Sequence, residues 1–395
     1  MPVAPRPLSS HLGAQFSVAA ARAAGHTRGR LEARDLERPF HGVRRRRTPD
    51  EPWDAEEPLA RDRAHRSRVL RDARAYAQVA PSHAFLAGRS AAVAWGLPCD
   101  SGPQLCVGVL APHRAPRRPG IHGVKVAPHL ATVRELEGLR VTSPATTWAM
   151  LAGVLDVREL VILGDAIVRI PRDERGTPQP LNRLATIDQL RAAADAPGRR
   201  GRPKLLRALE RVRVGSMSPL ETDFRLATTA AGLPEPDLDV EIRDERGTLL
   251  GIADARYEAC RVIVEVEGDH HRTSRAQWRR DIAKHAAYVR AGYEVVRLTS
   301  TDVRGAGGAP PTADLIVRDT LARRGFTLCR TTGPEEVACT RGSPGLSPTS
   351  APPRLRGRQA PRGQYPENAS VVIERAFSSA GARSAIRPGG PEMYA

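Results

Sequence analysis

The sequence predicts an α/β multidomain protein, and three observations carry that expectation. The chain has 395 residues, and at about 100–200 residues per domain this gives two or three cores. Residues 216–328 read as helix, three strands, helix, strand, helix, an αβββαβα order. Charge divides the chain: residues 1–215 carry 36 basic against 21 acidic side chains, whereas residues 216–328 carry 16 against 18. The expected organisation is a winged helix-turn-helix-like segment with a basic linker over 1–60, an α+β domain over 61–170, a linker over 171–215, the α/β domain over 216–328 and a disordered tail over 329–395. That tail is rich in Pro, Gly, Ser and Arg and has no sustained hydrophobic period.

Several classes drop out. No run of about 18 apolar residues exists, so no transmembrane helix is expected. The first thirty residues hold no apolar block with a small-residue cleavage site, so no secretory signal is expected. The five cysteines are scattered and lack metal-ligand spacing, which argues against a disulfide framework or zinc site and for a reducing cytoplasm. The formal charge of +17 points to a polyanionic partner, with nucleic acid ahead of an acidic membrane surface. Of the 61 basic residues, 58 are arginine. A GC-rich coding sequence accounts for that bias, but would not by itself make the net charge positive.

In the N-terminal segment Ser17 is placed to cap a helix through Ala24, with Gly25 ending it. Thr27 caps a second helix through about Arg34. Pro39 breaks it, and Phe40–Val43 suits a short strand. Two short helices around a tight Gly turn, with Arg28, Arg30 and Arg34 on the second, form a helix-turn-helix pattern. A wing would follow, carrying Arg44 and Arg45 of the Arg44–Arg47 run, cations suited to phosphate. A purely structural helical hairpin in an Arg-rich chain reads the same way. Residues 44–67 continue with Pro and mixed charge as a linker or solvated arm.

In the middle segment Ser82 is expected to cap a helix whose apolar face includes Phe85, Ala91, Ala92 and Trp95. Strands are expected at Leu105–Leu110 and Val124–Val126, separated by a basic loop, Arg114–Arg118. A strand at Leu139–Thr142 leads to a helix opened by Ser143 and Pro144, and Leu155–Val168 is another helix. The pieces SHAFLAGRSAAVAWGLP and GLRVTSPATTWAML, with the basic strand pair between them, resemble a bacterial family related to the antitoxins of AbiE-type abortive-infection systems. The resemblance covers about residues 16–170. It implies a winged helix-turn-helix before this part. His83, His113, His122 and His129 are not spaced as a helical metal pair.

The C-terminal block opens with Ser218 as N-cap, Pro219 in the first turn and Glu221 three residues after the cap. Strands are expected at about Leu238–Arg243, Leu249–Ala255 and Arg261–Glu267. A helix over Ser274–Ala291 bears Arg275, Arg279, Arg280 and Lys284. A strand over Tyr293–Leu298 and a helix over Ala313–Arg324 close the block. Asp254 ends its strand, and Glu265 and Glu267, two apart, share one face of theirs. If those strands pair, Asp254 and Glu265 converge. Two carboxylates with a backbone carbonyl make a hard-oxygen site suited to Mg²⁺, which can polarise a phosphate and acidify a bound water. Glu221 can complete the site through a water, or serve only its helix as a capping-box glutamate. Asp254 also reads as a strand-end cap, and the two glutamates as a solvated face.

The segments SPLE, ADARY, VEVEGDHH and WRRDIAKHAAYVRAGYEVVRL resemble the restriction-endonuclease-like PD-(D/E)xK superfamily, in the branch similar to the very-short-patch-repair endonuclease. The resemblance covers most of residues 216–304. It implies Asp254 and Glu265 as metal ligands for Mg²⁺ or Mn²⁺, with Glu221 as a supporting acid. Glu267 stands where the superfamily usually has lysine, a departure that removes a positive charge. Lys284, the only lysine of the block, is a candidate for that cation. His271 matches a histidine of the branch and is suited to act as general base or to hold phosphate. It is preferred to His270 because adjacent strand-end residues cannot both enter one site. Arg275, Arg279 and Arg280 read as a solvated or DNA-facing stripe, with Arg279, Arg280 and Lys284 the candidate DNA contacts, and Asp281 and Lys284 can pair with or orient the site. The expected activity is metal-dependent hydrolysis of DNA phosphodiesters, with DNA bound by the N-terminal half. The alternative is a DNA-binding regulator or antitoxin-like protein whose nuclease fold is catalytically silent.

Overall fold

The computed structural model describes residues 6–47, 59–268 and 275–327, with the backbone alone over 275–279. The expected disordered tail over 329–395 lies outside the described residues. The architecture is mixed α/β, with three sheets among the described residues.

The first unit comprises β1 (Gln15–Ser17), α1 (Val18–Ala23), α2 (Arg28–Leu31), β2 (Leu36–Glu37) and β3 (Val43–Arg46). Ser17 and Thr27 cap the two helices as their side chains allow, accepting from Ala20 N and Arg30 N. Gly25 supplies the left-handed turn between them at φ 82°. The three strands form one sheet in the order β1-β3-β2. Two expectations shift here. The second helix is a single turn that ends at Leu31, and the expected Phe40–Val43 strand runs instead over Val43–Arg46. Leu8, Leu12, Phe16, Ala21, Leu31 and Leu36 form the unit's small core.

The middle region begins with α3 (Ala60–Ala77), so residues 60–67 of the expected arm are helical. Next come β4 (Phe85–Leu86), α4 (Gly88–Ala94), β5 (Leu105–Leu110), β6 (Ile121–Val126), β7 (Val133–Leu136), β8 (Leu139–Thr142), α5 (Pro144–Met150) and α6 (Val157–Val168). The helix expected from Ser82 starts only at Gly88. Phe85 and Leu86 instead form the central strand of a five-stranded sheet, β6-β5-β4-β8-β7, pairing with Gly108, Val107 and Val141. A Cβ on Gly108 would sit 2.3 Å from the Phe85 ring, so glycine there makes room for the aromatic.

The stretch expected to be a linker, 171–215, is folded and packed. It holds α7 (Ile187–Asp195) and α8 (Arg202–Leu209). Their Leu190, Ala194, Leu205, Ala208 and Leu209 share one core with Trp148, Leu160, Leu163 and Ile167. Pro, Gly and charge dominate its composition, but the apolar residues fall on one side of each helix and are buried.

The C-terminal block has the expected order, with a short helix added before the last one: α9 (Pro219–Ala230), β9 (Asp237–Arg243), β10 (Leu249–Tyr257), β11 (Val262–Glu267), α10 (Arg275–Arg290), β12 (Glu294–Thr299), α11 (Ser300–Arg304) and α12 (Ala313–Arg323). The sheet order is β12-β11-β10-β9, antiparallel except for the parallel β11–β12 pair. Val262, Val264 and Val266 pack against Leu220 and Phe224 of α9 and Val317 and Leu321 of α12. Ile263 packs with Tyr288 of α10. Period-2 alternation on β11 thus feeds two cores, one on each side of the sheet. Leu226 of α9 belongs to the helical core of the middle region, so α9 is shared between two cores.

Candidate active site

Three elements meet at one end of the C-terminal sheet. The β10–β11 ladder pairs Tyr257 with Val262, Arg256 with Ile263 and Ala255 with Val264. One step further, in the same register, Asp254 falls opposite Glu265. There the strands part, and side chain replaces backbone: the Val266 N–H donates to Asp254 Oδ2 at 2.8 Å. The carboxylate bridges the mouth of a fork in the sheet.

Glu265 is 7% exposed. Its Oε2 accepts from Lys284 Nζ at 2.9 Å, while its Oε1 is buried with no hydrogen-bond partner. Lys284 reaches the fork because α10 lies directly on β10. A Cβ on Gly251 would stand 2.5 Å from Tyr288 Oη and 3.0 Å from Lys284 Cγ. Tyr288, one turn after Lys284, is fully buried with an unpartnered hydroxyl, and the lysine ammonium lies 5.6 Å from its ring centre.

Glu221 enters from the first turn of α9. Its own N–H donates to the capping Ser218 Oγ at 3.2 Å. Its Oε2 accepts the Met217 N–H at 2.7 Å, one residue outside the cap, so the carboxylate does serve the helix end. Burial, followed by repulsion from Asp254, pushes Glu221 up to about 8. The same two causes push Glu265 up to about 7, against the pull of Lys284. Burial also raises Tyr288, with Glu265 and Asp254 adding to it. Full ionisation would set three carboxylates against one ammonium, and both glutamates resist ionising beside Asp254.

Among the described residues no three Asp, Glu, His or Cys side chains are placed to close on one ion as they stand. The donor set is nevertheless of the right kind. The fork offers hard carboxyl oxygens, one of them buried and unpartnered, and carboxyls whose ionisation a divalent cation would favour. No protein-family model matches this chain, nor does any curated protein or solved structure.

The remaining site residues fall in several places. Glu267 forms an ion pair with Arg297 of β12, on the side of the fork away from β10. His271 and His270 lie outside the described residues. Arg279 lies on α10, but its side chain is not described, and Arg280 is exposed on the same helix. In the N-terminal unit, Arg30 pairs with Asp35 at 2.7 Å. Arg45 pairs with Glu37 at 2.8 Å and with Asp72 of α3 at 2.7 Å. Arg44 donates to the Leu31 and Val43 carbonyls, and Arg28 pairs with Glu32 at 2.9 Å. Arg34 is exposed. Much of the cationic charge expected to face DNA is thus spent within the unit.

Sequence reasoning missed two contributors. Tyr288 could have been found from its i, i+4 spacing to Lys284. Arg169 could not. It follows α6 in the middle region, yet its Nη1 donates to the Met217 carbonyl at 3.0 Å. The Met217 peptide is therefore held between Arg169 and Glu221. Burial lowers the Arg169 pKa, and the nearby Glu221 opposes that shift.

Proposed function

We propose that the chain is a metal-dependent endonuclease that hydrolyses phosphodiester bonds in DNA. The observation that carries this reading is the Asp254–Glu265 pair at the mouth of the strand fork, with a buried Glu265 oxygen left without a partner. Asp254 and Glu265 would hold Mg²⁺ or Mn²⁺, and Glu221 would support them through a water. The bound ion would supply Lewis-acid polarisation of the phosphate and a more acidic water. Lys284 balances Glu265 and keeps its carboxylate oriented. His271, beyond β11, is assigned as general base or phosphate ligand on the resemblance alone. The restriction-endonuclease-like fold of the C-terminal block and the winged helix-turn-helix character of the N-terminal unit belong to the same reading. The element order and the β1-β3-β2 sheet support them.

The test is cleavage of plasmid, nicked, mismatched and single-stranded DNA with Mg²⁺ or Mn²⁺. Wild type should cut, and Asp254→Ala and Glu265→Ala should not, at unchanged fold. Normal cleavage by either variant would sink the site assignment.

One observation favours the rival, a DNA-binding regulator with a silent nuclease fold. Glu267, at the position usually held by lysine, is tied to Arg297, and Lys284 is already engaged by Glu265. Titration with Mn²⁺ separates the two readings. Binding that vanishes in Asp254→Ala supports the nuclease, and no Asp254-dependent binding supports the regulator.

A further inference from the structure

The basic loop Arg114–Arg118 takes no part in the site described above. It connects β5 to β6, which run parallel. Parallel neighbours need a connection that returns the full strand length. Here residues 111–120 make that return in extended form, as a strap lying on the sheet. Both ends are tied by backbone. The Ala111 N–H donates to the Val126 carbonyl at 2.8 Å, and the Ile121 N–H to the Arg118 carbonyl at 3.0 Å. Midway, a Cβ on Gly123 would stand 2.0 Å from the Pro116 carbonyl oxygen, so the strap rests directly on β6. At one end the His113 ring stacks on His83, centroids 3.7 Å apart. At the other, Gly120 meets the Phe40 ring of the N-terminal unit.

The strap presents Arg114, Arg117 and Arg118, all exposed. Lys125, also exposed, shares the strand face of Gly123 and so points to the strap's side. None of these four cations takes part in an ion pair among the described residues. Residues 101–134 contain no Asp or Glu at all. In the N-terminal unit, by contrast, Arg28, Arg30 and Arg45 are paired with Glu32, Asp35, Glu37 and Asp72.

We propose that this strap, with Lys125, is the surface that binds the phosphate backbone of duplex DNA. Guanidinium groups on a pinned, extended segment suit a row of phosphates. An acidic membrane is the poorer fit. None of the large exposed apolar side chains among the described residues lies in 101–134, so nothing there would anchor in lipid. The inference deepens the DNA part of the proposed function and is independent of the metal chemistry.

The test is binding of the full chain to a short fluorescent duplex over a salt series. Each lost phosphate contact should make the slope of log K against log[salt] shallower by about 0.9. Arg114→Gln, Arg117→Gln and Arg118→Gln together should flatten it by about 2.7 and weaken binding at least tenfold, at unchanged melting temperature. Gly123→Val should weaken binding similarly with all charges kept, because it lifts the strap. A parallel arm carries Arg28→Gln with Arg34→Gln. Binding by the wild type with an unchanged slope in the strap variant overturns the inference and leaves the nuclease reading intact. A wild type that binds no duplex overturns both the strap and the DNA reading. Strap-dependent binding to phosphatidylserine vesicles in preference to duplex overturns the choice of partner.

Discussion

Asp165 and Arg225 form an ion pair at 2.8 Å with side chains 1% and 2% exposed, and they belong to different regions of the chain. Asp165 lies on α6 of the middle region, and Arg225 on α9, four residues after Glu221. Thr222 and the Arg213 N–H also donate to the Asp165 carboxylate. Next to Arg225, Asp223 is held by Arg158 of α6 and Arg304 of α11. The helix that carries Glu221 is thus fixed by charges from both sides.

Breaking that pair from one side should be costly. Burial outweighs Arg225 and pushes the Asp165 pKa up, so the pair is held by its full set of donors rather than by attraction alone. Asp165→Asn should cost about 3 kcal/mol in urea denaturation, the low end for breaking a buried pair, because Arg225 keeps Glu235 at 3.1 Å as a second partner. Combining it with Arg225→Met should recover much of that loss. A double variant as unstable as the sum of its parts would refute the account.

Stability should fall as pH rises through the site's titration range. A carboxyl whose folded pKa lies above its ordinary value favours the folded state while protonated. Glu265, pushed up from 4.5 to about 7, and Glu221, up to about 8, contribute stability that is full below about 4.5 and lost as pH approaches 8. Denaturation midpoints between pH 5 and 8 should decline, and Glu221→Gln should flatten the decline. Mn²⁺ should restore more stability at pH 8 than at pH 6, since it competes with protons for these oxygens.

Lys284→Met should be pH-sensitive in the same window. At pH 8 the buried Glu265 loses its counter-charge and must either stay ionised unpaired or take up a proton, at a cost of about 2–3 kcal/mol. At pH 5 Glu265 is neutral, and the cost should shrink by more than half. Equal losses at both pH values would show that Lys284 acts through packing rather than charge.

Gly251→Ala tests how closely α10 must lie on β10. The added methyl meets Tyr288 Oη and Lys284 Cγ, so α10 has to shift. A loss of about 1–3 kcal/mol is expected, together with weaker Asp254-dependent Mn²⁺ binding as Lys284 moves off Glu265. A variant with wild-type denaturation and metal titration would show that the contact is slack.

The strands around the fork were legible because their β-branched runs are bounded by turns. The register that sets Asp254 against Glu265 follows from Ala255 and Val264 meeting in an antiparallel pair. Ser218 announced α9, just as Ser143 and Pro144 announced α5. Phe85 and Leu86 look helical in sequence because a two-residue strand has no period to detect. Their assignment depends on pairing with Val107, Gly108 and Val141, far along the chain. Residues 171–215 look like a linker in sequence because Pro, Gly and charge mask two short helices whose buried faces appear only against α5 and α6. Arg169 had no local signal, since its partner Met217 is 48 positions away. His271, the histidine assigned on resemblance, lies outside the described residues.

Because Leu226 and Arg225 are buried against the middle region, the seam between the last two regions does not run between helices but through one. A gene fusion or truncation that starts near Ser216 would uncover an apolar leucine and a guanidinium left with Glu235 alone. The last two regions should therefore exchange amide hydrogens as one cooperative unit and be inherited together, so swapping the C-terminal region alone onto another carrier should yield an insoluble product.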